Sequence, residues 1–314
     1  MKKIFAYFFL LFTGFLVAQN HISTNIEIND FIDGTLLEPD ERKSNTLIII
    51  IAGSGPTNRD GNSTIGKNNS LKQLARFFAD EGFASFRYDK RIFKLMRNQQ
   101  LDQSRLRFED FVKDAADVVN YFKLFNKETY NFDKFIITGH SQGALVAKLG
   151  SLRTAVDGLI LLCGSSKPLE EMLVNQLSVQ APFLVNDLKM ALDSIKTVGY
   201  VKDYNPLLKT VLYEDVQPFM QSWMKYDPIE VAKKITVPTL VVGGTTDIQI
   251  PADDALKLAE NMENARAVVV QNMNHVLKTV EDVGIENQKS YTNPYFPFSE
   301  DLKSELSKYL ENFK

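Results

Sequence analysis

A chain of 314 residues with a single cysteine, Cys163, can build neither an internal disulfide framework nor a cysteine-based zinc or iron–sulfur cluster. Histidine is almost as scarce, with only His21, His140 and His275. A mechanism that needs an imidazole base therefore has few places to find one. Neither sign of charge dominates: 36 Lys and Arg stand against 39 Asp and Glu, a formal net charge of -3. The broad basic face that nucleic-acid binding requires is missing, and no nucleic-acid partner is expected. No H-E-x-x-H or paired-cysteine pattern occurs, so a metal-free mechanism without a cofactor is favoured. Internal repeats and low-complexity linkers are absent as well, which argues against a second independently folding domain.

What is present begins with an export-like segment. Lys2 and Lys3 precede an apolar run from Ile4 to Val17, broken only by Thr13 and Gly14, and small Ala18 stands before polar Gln19 and Asn20. This is the shape of a secretory signal peptide over residues 1–18. The run is shorter than the roughly 20 residues of a membrane span, and no stop-transfer charges follow. The expectation is an exported protein, periplasmic or secreted, with no integral membrane span after cleavage.

Downstream, 44% hydrophobic and 24% charged residues describe a globular chain with a sizeable core. Alternation at Ile26 and Ile28 and the Asp33-Gly34 pair predict an opening β-hairpin within Ile22 to Pro39. Leu47 to Ala52 is an apolar stretch too short for a helix, typical of a strand covered on both faces. Ala84 to Tyr88, Phe135 to Thr138, Leu159 to Cys163, Val237 to Val242 and Ala267 to Val270 read as further strands. Helical spacing lies between them at Leu71 to Phe78, Phe108 to Phe122 and Ala144 to Leu152, and again at Leu302 to Leu310. Strands alternating with helices in this way imply a mostly parallel sheet wrapped on both faces. From about Gly164 to Lys234 the alternation stops and only helical periods appear, so a helical cap insertion is expected there. Asp227 is placed to N-cap its last helix, with Pro228 in the first turn.

Residues 139–143 read GHSQG, with strand-like KFIIT before and helix-like ALVAKL after. In G-x-S-x-G the glycines allow a sharp strand-to-helix turn that holds the central serine, Ser141, strained and exposed. A serine needs a base to act as a nucleophile. His140 would point away from Ser141 on such a turn, and His21 lies near the cleavage point, which leaves His275 in the loop QNMNHVLK after the last strand. Asp247, in GGTTDIQIP at the end of the penultimate strand, is the orienting acid, and the chain order Ser, Asp, His fits the elbow motif. Asp253 and Asp254 are its rivals, but they follow Pro251 and read as helix-start carboxylates. An oxyanion hole needs two backbone donors. Gln142 N–H follows the nucleophile, and Ser54 N–H, in the loop AGSGPTNRDG, is the second candidate. Cys163 reads as a buried core residue. Residues 61–68, GNSTIGKN, match G-x-x-x-x-G-K, but Asn68 stands where a phosphate loop needs Ser or Thr, and no strand directly precedes the motif.

With GSGPTNRDG, RYDKR, GHSQGALVA, YDPIEVAKKITVPTLVVGGTTDIQIP and NHVLK in one order, the chain resembles the α/β-hydrolase superfamily, specifically secreted serine-aminopeptidase-like esterases with a helical cap. The resemblance spans about Asn20 to Lys314 and implies one α/β-hydrolase domain over residues 19–314. Relatives usually carry a histidine where this chain has Ala52, and glycines where it has Ile92, Phe93 and Lys94. In such relatives Asp89 and Arg91 organise loops near the site; a surface ion pair is the other reading. The implied activity is that of a serine hydrolase on a small acyl ester, a carboxylesterase. Two alternatives remain. One is an aminopeptidase or amidase on a small peptide-like substrate, for which Glu170, Glu171 and Asp187 are available to hold an amine. The other is a non-catalytic ligand-binding protein of the same fold.

Overall fold

The computed structural model describes residues 21–64, 66–125 and 129–314, so the segment read as a signal peptide lies outside the described residues. Eight strands form one sheet: β1 (His21–Asn29), β2 (Ile32–Pro39), β3 (Thr46–Ile51), β4 (Ala84–Tyr88), β5 (Lys134–His140), β6 (Gly158–Leu162), β7 (Thr239–Gly244) and β8 (Ala265–Val270). Their spatial order is β1-β2-β4-β3-β5-β6-β7-β8. β1 and β2 pair antiparallel, β2 meets β4 antiparallel, and the remaining six strands run parallel. This is the α/β-hydrolase architecture that the resemblance implies.

The unbroken LIIII of β3 is explained by cover on both faces. Leu47, Ile49 and Ile51 point into one core with helices α3 (Phe108–Leu124) and α4 (Gln142–Ser151), whereas Ile48 and Ile50 point into a second with α1 (Ser70–Asp80) and α12 (Glu300–Leu310). Between them in the chain lie α2 (Arg91–Arg97), then α5 (Leu169–Gln180), α6 (Val185–Val198), α7 (Lys209–Leu212), α8 (Gln217–Trp223) and α9 (Pro228–Ala232), followed by α10 (Asp253–Glu260) and α11 (Ile285–Ser290). Helices α5 to α9 all fall between β6 and β7; α5 to α8 share a core of their own, built on Leu184, Leu188, Leu192, Ile195 and Leu212, whereas Val231 and Ala232 of α9 pack into the first sheet core. Asp227 caps α9, its carboxylate accepting from the N–H groups of Ile229 and Glu230.

The opening hairpin forms, but its turn is not at Asp33-Gly34. The chain reverses between Asn29 and Ile32, where the Asn29 side chain accepts from Phe31 and Ile32 N–H. Gly34 lies inside β2 for a packing reason: a Cβ there would stand 2.3 Å from the Phe86 ring of β4. The described parts of the GNSTIGKN segment, 61–64 and 66–68, are an asparagine-tied entry to α1, with Asn62 Oδ1 accepting from Asn68 N–H and Asn69 N–H. Among the described residues no helix is long and apolar enough to cross a membrane.

Candidate active site

The turn from β5 into α4 is sharp because two glycines let backbones touch. A Cβ on Gly139 would stand 2.1 Å from the Gly143 carbonyl oxygen, and one on Gly143 would stand 2.6 Å from that of Ile51. Ser141 sits between them at φ 54, ψ -119, a region that a residue with a side chain enters only under constraint. Its own N–H donates to Leu162 O at 2.8 Å, tying the strained residue to β6. The side chain remains accessible at the C-terminal edge of the parallel strands, where such sheets place their sites.

Two loops on that edge bring His275 and Asp247 together. Gly244, ending β7, has no side chain where a Cβ would come within 2.0 Å of the Met273 carbonyl oxygen, and Thr246 N–H donates to that same oxygen at 3.2 Å. From this crossing His275 Nδ1 lies 2.7 Å from Asp247 Oδ2. The other carboxylate oxygen, Oδ1, accepts from Gln249 N–H at 2.8 Å and Ile250 N–H at 2.9 Å. Burial alone would raise the Asp247 pKa; the His275 ring and the two amides outweigh it and hold the carboxyl below its usual value. On the preceding residue, the Asn274 side chain locks the histidine loop by accepting from Val276 and Lys278 N–H and donating to Asn287 and Ser290.

Ser54 N–H and Gln142 N–H, the expected oxyanion donors, have no intramolecular acceptor among the described residues, as befits a loop amide and the first residue of a helix. Ser141 lies at the junction of two clefts. One, about 120 Å³, is walled by Leu145, Leu169, Met172, Leu173, Trp223 and Ile250. The other is lined largely by neutral hydroxyl and amide groups, among them Thr57, Asn68 and Tyr291, with His275 at its floor.

Asp253 and Asp254 do not reach His275. Both open α10, and Asp254 accepts from Ser166 N–H at 2.9 Å, anchoring the start of the helical insertion. Cys163 is buried behind the site, where burial and the neighbouring Asp247 push its thiol pKa well up. Its sulfur and one ligand atom each of His140 and His275 lie within 4.8 Å of one another. His140 Nε2 and His275 Nδ1 are already hydrogen-bonded, to a carbonyl and to Asp247 respectively.

A family model, BD-FAE, matches residues 35–262. The chain belongs to the BD-FAE family. This BD-FAE member is also 24% identical, over 283 residues, to the esterase EstD of Thermotoga maritima; the match takes in 81% of this chain and 63% of the relative, so the chain spans less than two thirds of that relative's length. Among solved structures it resembles the Pyrococcus furiosus esterase Pf2001, with a TM-score of 0.55 at 14% identity over 94% of this chain and 92% of the other. It also resembles Est1E from Butyrivibrio proteoclasticus, with 0.54 at 14% identity over 92% and 99%. These two likenesses establish the fold.

Several residues of this BD-FAE member matter to the site in ways that motif reading missed. His140 has a partner of its own: its Nε2 donates to the His275 carbonyl at 2.7 Å, bracing the backbone that carries the second imidazole. Burial, with the His275 ring 4.9 Å away, pushes His140 down to about 4 and keeps it neutral. Lys90 is only 4% exposed, and its ammonium donates to Gly53 O at 2.6 Å and also to Gly55 O, the two carbonyls that flank Ser54. Burial brings its pKa down to about 7 against the pull of Asp89. Asp89 accepts from Arg59 N–H and Nε, while Arg91 pairs with Asp114 and Asp110 on α3. The first bond organises the Ser54 loop, and the second is a buried tie between helices. A buried lysine on a glycine loop leaves no signature in spacing or periodicity, because nothing local distinguishes it from a surface charge.

Proposed function

We propose that this protein is a cofactor-independent serine hydrolase that cleaves small carboxylic esters by acyl transfer to water. The observation that carries the reading is the buried Asp247–His275 hydrogen bond at the same sheet edge as a strained Ser141. Membership of the BD-FAE family and the likeness to EstD support it. Ser141 Oγ attacks the ester carbonyl carbon while His275 Nε2 takes its proton, and the oxyanion is held by Ser54 and Gln142 N–H. The carbon–oxygen bond to the alcohol then breaks as His275 returns the proton to the leaving oxygen. Water, deprotonated by His275, repeats the sequence on the acyl-enzyme and frees the acid. The Lys2-Lys3 pair and the apolar run after it support export.

An aminopeptidase would need a carboxylate to hold the substrate amine. No Asp or Glu lines either cleft beside Ser141 among the described residues, and one of them carries Lys167 instead. Glu170 is paired with Lys196, Asp187 accepts from Asn205, and Glu171 is exposed. The decisive experiment sets p-nitrophenyl esters of graded acyl length against amino-acid arylamides. The esters should be turned over and the arylamides left intact; the reverse preference would reject the esterase reading, and inertness toward both would favour a ligand-binding protein.

The acyl profile should be narrow. Of the apolar residues in the insertion, Leu169, Met172, Leu173 and Trp223 line the smaller cleft, Phe219 lines a neighbouring one, Leu184 and Met220 form the insertion's own core, and Phe183 is exposed. An apolar cavity of about 150 Å³ is known to hold one benzene ring. A cleft of about 120 Å³ therefore suits a short chain. Each methylene buried is worth about 0.8 kcal/mol, so kcat/KM should rise about fourfold per carbon from the acetyl ester, peak at a short chain and then fall. Leu173→Ala should move the peak to longer chains; equal losses at every length would make these residues scaffold only.

Lys90 offers a separate test of the oxyanion assignment. Lys90→Met frees the carbonyls of Gly53 and Gly55 and with them the orientation of Ser54 N–H. Losing one oxyanion donor typically costs about 10²–10³ in kcat, so a displaced donor should cost up to about 10² in kcat with KM nearly unchanged. A raised KM at constant kcat would instead place Lys90 in substrate binding.

A further inference from the structure

A second polar cavity, of about 540 Å³, opens between the β1-β2-β4 side of the sheet and helix α1, apart from the clefts that reach Ser141. Its lining includes Ser23 of β1, Arg87 of β4, and Lys72, Arg76 and Asp80 of α1, with His21 at the rim. The placement follows from the two periodicities. Thr35 pairs with Arg87 and Leu37 with Ser85, so Arg87 and Ser85 project from one face of β4 toward α1. Positions 72, 76 and 80 are spaced by four residues and form one stripe along the helix above that face.

The charges here are unevenly matched. His21 lies 3.0 Å from Asp80, close enough to donate a hydrogen bond to the helix carboxylate, and Arg87 Nε donates to Asp60 at 2.8 Å. Arg87 is only 6% exposed, yet its NH1 has no acceptor among the described residues, and neither does Ser85 Oγ, buried on the same face. Lys72 and Arg76 form no ion pair among the described residues. A buried guanidinium with an unmet donor is costly, and because its NH1 lies just beneath the cavity wall a small shift of the side chain would bring it to an acceptor there. Two further cations, Lys72 and Arg76, line the same cavity and favour an acceptor carrying more than one negative charge. A guanidinium's planar fork matches the oxygens of a phosphate or phosphate monoester.

We propose that this cavity is a binding site for a phosphate group, held by Arg87, Arg76 and Lys72. The ligand could be free phosphate or the phosphoryl end of a monoester, and the test separates the two. Thermal unfolding of the full chain is followed in inorganic phosphate, in glycerol phosphate and in chloride at matched ionic strength, with affinities from calorimetric titration. Both phosphate species, or the one that fits, should raise Tm above the chloride value, and the tighter of the two names the source. Arg87→Met should abolish the effect; because it also removes the Asp60 ion pair, Arg76→Ala and Lys72→Ala carry the decisive comparison. Each should keep its Tm in chloride and bind phosphate at least tenfold more weakly. Equal Tm in phosphate and chloride, or undiminished affinity in both α1 variants, would overturn the proposal.

Discussion

Ser141→Ala should lower kcat on a short-chain ester by about 10⁶ while leaving the fold unchanged, a loss of the size seen when a hydrolase's serine nucleophile is deleted. The argument is one of place as well as chemistry. Ser141 stands at φ 54 and ψ -119, held by its N–H bond to Leu162 O and by two glycines whose absent side chains let neighbouring backbones close in. Alanine fits the same backbone, so the variant loses only the hydroxyl. A residual rate above that of water is expected, because the N–H groups of Ser54 and Gln142 and the clefts persist. A fluorophosphonate probe gives an independent readout: the parent should be labelled once and Ser141→Ala not at all. Labelling that survives in the variant would move the nucleophile elsewhere, and an unlabelled parent would speak for ligand binding without turnover.

The parts of the molecule legible from the amino-acid order are those where local chemistry and tertiary environment ask for the same residues. LIIII at β3 is covered on both faces, so every position must be apolar and the run is unmistakable. GHSQG is equally plain because the backbone contacts at Gly139 and Gly143 exclude any side chain. Reading failed where a distant contact overrode a local preference. Asp33-Gly34 has the composition of a hairpin turn, but Gly34 is small because Phe86 packs over it, and the turn falls to Asn29 instead. Residues Arg91 to Arg97 form a helix that has one buried residue, Arg91, and so shows no apolar stripe to read. Lys90 and His140 act through carbonyl groups of residues 37 and 135 positions away, a relation that no spacing encodes.

Asp247→Asn should cost about 10⁴ in kcat, and the geometry says why an isosteric change is so damaging. The carboxylate has two distinct duties: Oδ1 accepts from Gln249 and Ile250 N–H, and Oδ2 accepts from His275 Nδ1–H. In the asparagine variant the amide oxygen must take the Oδ1 position, because two backbone donors point there and an NH₂ group cannot accept from them. The NH₂ is then turned toward His275, where it can only donate. Nδ1 becomes the acceptor, the proton moves to Nε2, and the nitrogen that should deprotonate Ser141 is already protonated. Asp254→Asn tests the rival directly: it disturbs only the Ser166 N–H bond at the entry to the insertion, so a lower Tm at nearly constant kcat is expected, and Asp253→Asn should change neither. Fluorophosphonate labelling should slow in parallel with turnover in Asp247→Asn, since both need Ser141 deprotonated. An Asp247→Asn enzyme that labels and turns over at the parent rate would mean that His275 is oriented by another group.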